Sequence, residues 1–139
     1  MAGQGRKDQR LMPASLLLDS DILIDHLRKE QKALEYLRQE IDAGSLFFIS
    51  VVSRTEILSG ARKGEEETIQ SLFDLLTPVD VDMAIADRAG EYIKKYAKSH
   101  AVTIGDAIIA ATAREMGGAL VTRNLKHYPM KDIKIIKPY

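Results

Sequence analysis

Three acidic residues lie far apart in the chain, each where an apolar run ends or a helical pattern begins. Asp19 follows three consecutive leucines, Glu56 comes shortly after the apolar run 46–50, and Asp106 opens an alanine-rich segment. Gathered carboxylates repel one another and lose solvation unless a cation neutralises them. In a chain with no cysteine and 3 histidines, these oxygen donors predict a site for a hard cation, Mg²⁺ or Mn²⁺.

A fourth polar segment, Thr122-Arg123-Asn124, follows the apolar run 119–121. If the apolar runs are strands of one parallel sheet, their carboxyl ends share an edge, which is where ligands bind in open α/β sheets. We therefore expect this segment to lie near the three acids.

Each acid also has a local explanation as a helix cap. Asp19 or Ser20 is suited to cap a helix beginning at that point, and the segments 103–106 and 53–56 both fit the capping box. Taken singly, each acid is better explained by capping, because such motifs are common. Taken together, acids at three successive junctions favour a metal cluster.

The elements that must position these residues alternate along the chain. Short apolar runs typical of buried strands alternate with apolar residues at helical spacing, a pattern that predicts an α/β fold with a parallel sheet and right-handed crossovers. The strands are predicted at 16–18, 46–50, 78–81, 119–122 and 133–136. The helix at 104–116 is apolar on nearly every side, so we expect it to be central and closely packed.

The composition limits which other classes of protein the chain could belong to. Lys plus Arg and Asp plus Glu each number 20, so net charge gives no indication of an anionic partner. The absence of cysteine excludes disulfides and thiolate sites and, with no signal peptide, favours the cytoplasm. No apolar run approaches the roughly 18 residues that span a bilayer. Residues 1–13 are predicted to be a flexible N-terminal extension, and 14–139 a single domain.

Four segments, in order, resemble the PIN domain and within it the VapC-type toxins of prokaryotic toxin–antitoxin pairs. The segments are LDSDILID at 18–25, ISVVSRTEILSG at 49–60, GDAIIAATA at 105–113 and LVTRNLKHY at 120–128. Each segment alone is a weak signal, whereas four in the family's order and spacing are specific. The resemblance covers the chain from about residue 16 to residue 136.

The resemblance implies a three-layer α/β/α sandwich with a five-stranded parallel sheet in the order 3-2-1-4-5. It also implies Mg²⁺-dependent endoribonuclease activity on RNA, a homodimer and neutralisation by a cognate antitoxin protein.

Carried over by position, Asp19, Glu56 and Asp106 match the family's catalytic metal-binding acids. Asn124 stands where many members have a fourth catalytic acid, and an amide is a weaker metal ligand than a carboxylate. Thr122 is a candidate to support a metal ligand through its hydroxyl. Asp25 is left outside the site, facing solvent or a basic residue.

Several other residues near these junctions have candidate roles in binding. Arg54, Arg123 and Lys126 are expected to contact the RNA backbone, although a solvated charged face explains each equally well. The pair His127-Tyr128 offers rings that could stack on a base, but packing against the sheet is the favoured interpretation.

An apolar stripe on the predicted helix before 104–116 is the feature that favours a homodimer. It comprises Ile85, Ala89, Ile93 and Tyr96, with Tyr92 beside it, and it offers more apolar surface than a small chain easily covers alone. The alternative, that the stripe packs within the chain, is equally compatible with the pattern.

Two functions from other classes stay open. One is a PIN-like module that binds RNA or protein with a cluster too weak to hold metal, which Asn124 favours. The other is a receiver-like phosphoacceptor, which requires a lysine after the last strand, whereas Lys137 lies at the wrong end of it.

Overall fold

A computed structural model describes residues 13–139, so almost all of the predicted extension, 1–13, lies outside the described range. Strands and helices alternate along this range, as the apolar pattern predicts. The strands are β1 (Ser15–Leu18), β2 (Leu46–Ser50), β3 (Thr77–Val79), β4 (Ala119–Val121) and β5 (Lys134–Ile136). The α-helices are α1 (Ser20–Leu27), α2 (Gln31–Asp42), α3 (Val51–Ser59), α4 (Glu66–Asp74), α5 (Met83–His100) and α6 (Ile104–Met116).

The strands form one sheet in the order β3-β2-β1-β4-β5, and every neighbouring pair is parallel. The expected α/β class and strand order are therefore confirmed. The central strand β1 pairs Leu16 with Phe47 of β2 and Leu17 with Leu120 of β4. Its position explains why three leucines occur in a row, since a central parallel strand is buried on both faces.

Helices cover both faces of the sheet and give the sandwich its three layers. Because side chains alternate along a strand, Leu16 and Leu18 pack on one side with residues of α1 to α4. Leu17 points to the other side and packs with α5 and α6. The carboxyl ends of the strands consequently meet at one edge, between the two helical layers.

Helix α6 is buried along most of its length, as its composition predicts. Ala107, Ala110, Ala111 and Ala113 have no exposed surface, and their small side chains let the helix lie close to its neighbours. The helix starts at the N-cap Thr103. This packing holds the first turn of α6, which carries Asp106, beside the sheet.

Helix α5 uses its apolar stripe within the chain. Ile85, Ala89 and Tyr92 are buried in the core shared with α6, and Ile93 and Tyr96 are partly buried against the same core. The stripe therefore gives no support for a dimer, and the homodimer stays a prediction.

None of the helices between residues 13 and 139 is both long and apolar enough to pass through a membrane.

Candidate metal centre

Asp19 occupies the end of the central strand and is nearly buried, with 5% of its surface exposed. Its backbone N–H donates to the carbonyl oxygen of Val121 in β4 at 3.0 Å, which extends the strand pairing by one residue. Its Oδ1 accepts a hydrogen bond from the N–H of Ser20 at 2.8 Å and so caps α1. The predicted capping role is therefore real.

The second oxygen of Asp19 faces two hydroxyl groups. Oδ2 accepts hydrogen bonds from Thr122 Oγ1 at 2.9 Å and from the hydroxyl of Tyr128 at 2.8 Å. The sequence indicates Thr122 as a partner of a metal ligand but no contact between Tyr128 and Asp19. Tyr128 is buried as expected, whereas its neighbour His127 is exposed. The sequence does hold one indication of the contact between Tyr128 and Asp19. A buried tyrosine needs a hydrogen-bond partner for its hydroxyl, whereas a buried phenylalanine does not.

Asp21 adds a further carboxylate to the same edge. Its Oδ2 accepts the backbone N–H of Arg123 at 2.8 Å and lies 3.4 Å from Thr122 Oγ1. Burial raises the pKa of Asp21, the N–H of Arg123 lowers it, and the neighbouring charge of Asp19 raises it again. The segment after β4 thus contacts both acids of the segment after β1.

Glu56 lies in the second turn of α3. That helix is capped by Ser50, whose Oγ accepts the N–H of Val52 at 3.1 Å, so the capping box predicted at 53–56 is wrong. Burial raises the pKa of Glu56, and the charges of Asp19 and Asp106 raise it further. A hydrogen bond with the Ser20 side chain lowers it in part. The charges of Asp19 and Asp106 therefore both act on Glu56 at this edge of the sheet.

Asp106 takes part in the predicted cap of α6 through its backbone. Its N–H donates to Thr103 Oγ1 at 3.1 Å, and this bond does not involve the carboxylate. The carboxylate Oδ1 lies 3.7 Å from Nδ1 of His127, which follows β4. The side chain of Thr103 supplies this cap. The carboxylate of Asp106 is therefore available to act together with Asp19 and Glu56.

The chemistry of this donor set fits a hard cation. Asp19, Glu56 and Asp106 offer carboxylate oxygens at one edge, the donors that Mg²⁺ and Mn²⁺ prefer. As the side chains stand, no group of at least 3 acidic or histidine residues within 13–139 is arranged to hold a metal ion. The carboxylate of Asp19 is held in place by hydrogen bonds to both of its oxygens.

The predicted RNA-binding residues differ in their surroundings. The Arg54 guanidinium lies 4.2 Å from the centre of the Phe73 ring. Arg123 pairs with Asp25 at 2.8 Å, which confirms the basic partner expected for Asp25. Lys126 is exposed, and these positions leave a role in RNA binding as a prediction for all three basic residues.

Asn124 lies at the exposed end of the segment that follows β4. Its backbone N–H donates to Thr122 Oγ1 at 3.0 Å, and its backbone carbonyl oxygen accepts the backbone N–H of His127 at 3.0 Å. These bonds fix the backbone beside Thr122, and the catalytic role of the Asn124 amide stays a prediction.

Comparison with known sequences identifies the family. A model of the PIN domain matches residues 16–132. Ribonuclease VapC10 of Mycobacterium tuberculosis is 38% identical over 116 residues, which cover 83% of this chain and 86% of that protein. Ribonuclease VapC19 of the same organism is 34% identical over 115 residues, covering 82% of this chain and 92% of that protein.

Comparison with solved structures gives the same fold. A toxin–antitoxin complex from Klebsiella pneumoniae contains a chain with a TM-score of 0.73 and 25% identity, covering 89% of this chain and 98% of that one. DNA-bound VapBC from Salmonella typhimurium has a TM-score of 0.74 at 23% identity, covering 88% and 97%. The sequence resemblance is thereby confirmed, and the chain belongs to the PIN-domain family.

Proposed function

We propose that this chain is a metal-dependent endoribonuclease and the toxin of a VapBC-type toxin–antitoxin pair. The observation that carries the proposal is the group of acids at the sheet edge, where Asp19 is buried and its charge and that of Asp106 act on Glu56. The sequence relatives named ribonucleases support the activity, and the toxin–antitoxin complexes support the partner.

In this proposal Asp19, Glu56 and Asp106 hold Mg²⁺ or Mn²⁺. When bound, such a cation activates water and offsets charge on the scissile phosphate. Thr122 holds Asp19 in place through its hydroxyl, and Asn124 contributes an uncharged amide that orients water or a neighbouring carboxylate. Burial and the charge of Asp19 raise the pKa values of Glu56 and Asp21, and a bound cation would offset that repulsion.

Basic residues on the rim bind the RNA backbone in this proposal. Lys126 is exposed and needs no rearrangement, whereas Arg123 exchanges its pairing with Asp25 for a phosphate. The guanidinium of Arg54, which lies over the Phe73 ring, adds a positive charge that attracts the RNA backbone. Such contacts hold RNA without reading its sequence.

The test is to incubate the pure protein with a defined RNA pool in Mg²⁺, in Mn²⁺ and in excess EDTA, and to map the RNA ends. We expect cleavage at internal sites with either ion and none with EDTA. Undiminished cleavage in EDTA would contradict the metal mechanism.

A second candidate is a PIN-like module that binds RNA or protein without cleaving. Two observations favour it: the acids within 13–139 are not arranged for a metal as they stand, and an amide stands at Asn124. Absence of RNA cleavage with either ion, together with retained RNA binding, would select this candidate.

An apolar groove offers a surface for the proposed antitoxin. It has a volume of about 140 Å³ and is lined by apolar side chains of α2, β1, β2, α4 and the two leucines that follow α4, with His26 and Arg38 at its polar positions. Ile41 and Leu75 border it and are 49% and 54% exposed. We propose that an apolar segment of the antitoxin covers this groove in the cytoplasm.

Coexpression with the cognate antitoxin tests the groove. Leu75→Glu should abolish copurification of the two proteins, because it places a charge in the covered surface. Met83→Glu, which changes an exposed side chain outside the groove, is the control and should retain it. Full copurification of the Leu75→Glu protein would show that the antitoxin binds elsewhere.

A further inference from the structure

We infer that Tyr128 is a positioning residue whose hydroxyl determines which oxygen of Asp19 is available to the cation. The inference rests on the proposed function, because it concerns the same metal centre. It starts from the 2.8 Å hydrogen bond between the Tyr128 hydroxyl and Asp19 Oδ2, which joins residues 109 positions apart.

The ring of Tyr128 is anchored independently of this bond. Tyr128 is 4% exposed and belongs to the core formed with α5 and α6. Its N–H donates to the carbonyl oxygen of Leu125 at 3.1 Å, which fixes the backbone after the 3₁₀ turn Leu125–His127. A phenylalanine would fill the same core space, so the particular contribution of tyrosine is the hydroxyl aimed at Asp19.

The two oxygens of Asp19 are left unequal by their hydrogen bonds. A carboxylate offers about four lone-pair positions, two on each oxygen. Oδ2 accepts the hydroxyls of Tyr128 and Thr122, whereas Oδ1 accepts, from residues 13–139, only the N–H of Ser20. Oδ1 therefore keeps one acceptor position for a cation, and the two hydroxyls hold Asp19 in this orientation before the cation arrives.

Loss of the hydroxyl should weaken cation binding. Groups that hold a metal ligand in place typically contribute 10- to 100-fold in metal affinity or activity. In Tyr128→Phe, Oδ2 keeps only Thr122, so the carboxylate is less firmly oriented. We expect the affinity for Mn²⁺ to fall by about tenfold, with cleavage recovering toward the wild-type rate as Mn²⁺ is raised to saturation.

The chain provides a matched control in Tyr92. This residue is 6% exposed, lies in the same core, and its hydroxyl donates to Asp132 Oδ1 at 2.8 Å. Tyr92→Phe thus removes the same kind of tyrosine–aspartate bond outside the site. It should leave Mn²⁺ affinity unchanged.

The experiment is calorimetric titration of Mn²⁺ into RNA-free wild type, Tyr128→Phe and Tyr92→Phe, with melting temperatures measured without metal. A weaker Mn²⁺ affinity in Tyr128→Phe alone supports the inference. If both variants lose thermal stability but bind Mn²⁺ like the wild type, the hydroxyl is only structural and the inference is wrong. A wild type that binds no Mn²⁺ overturns the proposed metal centre itself, which separates the two failures.

A second variant keeps the test decisive if Tyr128→Phe does not fold. Thr122→Val removes the other hydroxyl from Oδ2 while retaining the shape of the side chain. It should weaken Mn²⁺ binding in the same direction. Unchanged Mn²⁺ affinity in this variant would contradict the assignment of Oδ2 to the hydroxyls.

Discussion

Asp19 caps a helix and is also a ligand in the proposed metal centre, two roles that the sequence presents as alternatives. Its Oδ1 caps α1 through Ser20, and its Oδ2 is held by Thr122 and Tyr128. Because one acceptor position on Oδ1 stays open, capping would not compete with the cation binding that we propose. A helix cap at a strand end would then also orient the proposed metal ligand.

Local pattern identifies some residues of the site and misses others for a physical reason. Asp19 and Asp106 are recognisable because an acid follows a strand or opens a helix. The contacts of Thr122 with Asp19 and of Arg123 with Asp21 join residues about a hundred positions apart. Only the strand register brings such pairs together, so periodicity along the chain does not reveal them.

His26 should make stability depend on pH. Its Nδ1 is buried with no hydrogen-bond partner among residues 13–139, and burial lowers its pKa from the ordinary 6.5; Arg38 lines the same groove. The unfolded chain is therefore protonated first as pH falls. Stability should be fully present above about pH 6.5 and decline as pH falls through the lowered pKa.

Urea unfolding at several pH values between about 5 and 8 measures how the free energy of unfolding depends on pH. His26→Phe should remove part of the decline, whereas His100→Gln, which alters an exposed histidine, should not. An identical pH dependence in wild type and His26→Phe would show that His26 does not contribute.

At the scale of elements, the alternation of strands and helices is predictable, and their exact limits and order are less so. The third strand is predicted at 78–81 and found at Thr77–Val79, because backbone pairing with β2 sets its limits. The strand order came from the family resemblance alone. Apolar runs do not specify which neighbour a strand pairs with.

Two glycines should respond oppositely to alanine. A Cβ on Gly118 would lie 2.8 Å from the carbonyl oxygen of Ser15, where β4 starts beside β1, whereas one on Gly90 in α5 would meet nothing within 4 Å. Gly118→Ala should therefore destabilise by more than about 1 kcal/mol. Gly90→Ala should stabilise by about 1 kcal/mol through helix propensity.

The free energy of unfolding in urea measures both changes. Equal effects of the two substitutions would contradict the close approach of β4 to β1.

At the scale of the whole molecule, the parallel sheet is what gathers the site. Asp19, Glu56 and Asp106 reach one edge because β1, β2 and the helix preceding β4 all present their polar ends there. Composition predicts a single domain of this class, but it gives no information on assembly. The core of one chain already covers the stripe on α5.

We retain the homodimer as a prediction for the intact protein. Large apolar side chains outside the stripe, including Ile104 at 68% and Leu46 at 62% exposure, leave surface for a second copy. Light scattering at tens of micromolar should give twice the mass of the 15.5 kDa chain. A monomer mass at that concentration would refute the dimer.

The most direct test of the central claim is Asp106→Asn, measured for RNA cleavage and for stability without metal. The substitution keeps the N–H that bonds Thr103 and relieves repulsion with Glu56. We predict unchanged or higher metal-free stability, with loss of cleavage and of stabilisation by Mg²⁺. Thr103→Ala, the control, should cost about 1 kcal/mol yet retain cleavage. An Asp106→Asn protein that is less stable without metal and cleaves RNA at the wild-type rate would contradict the account.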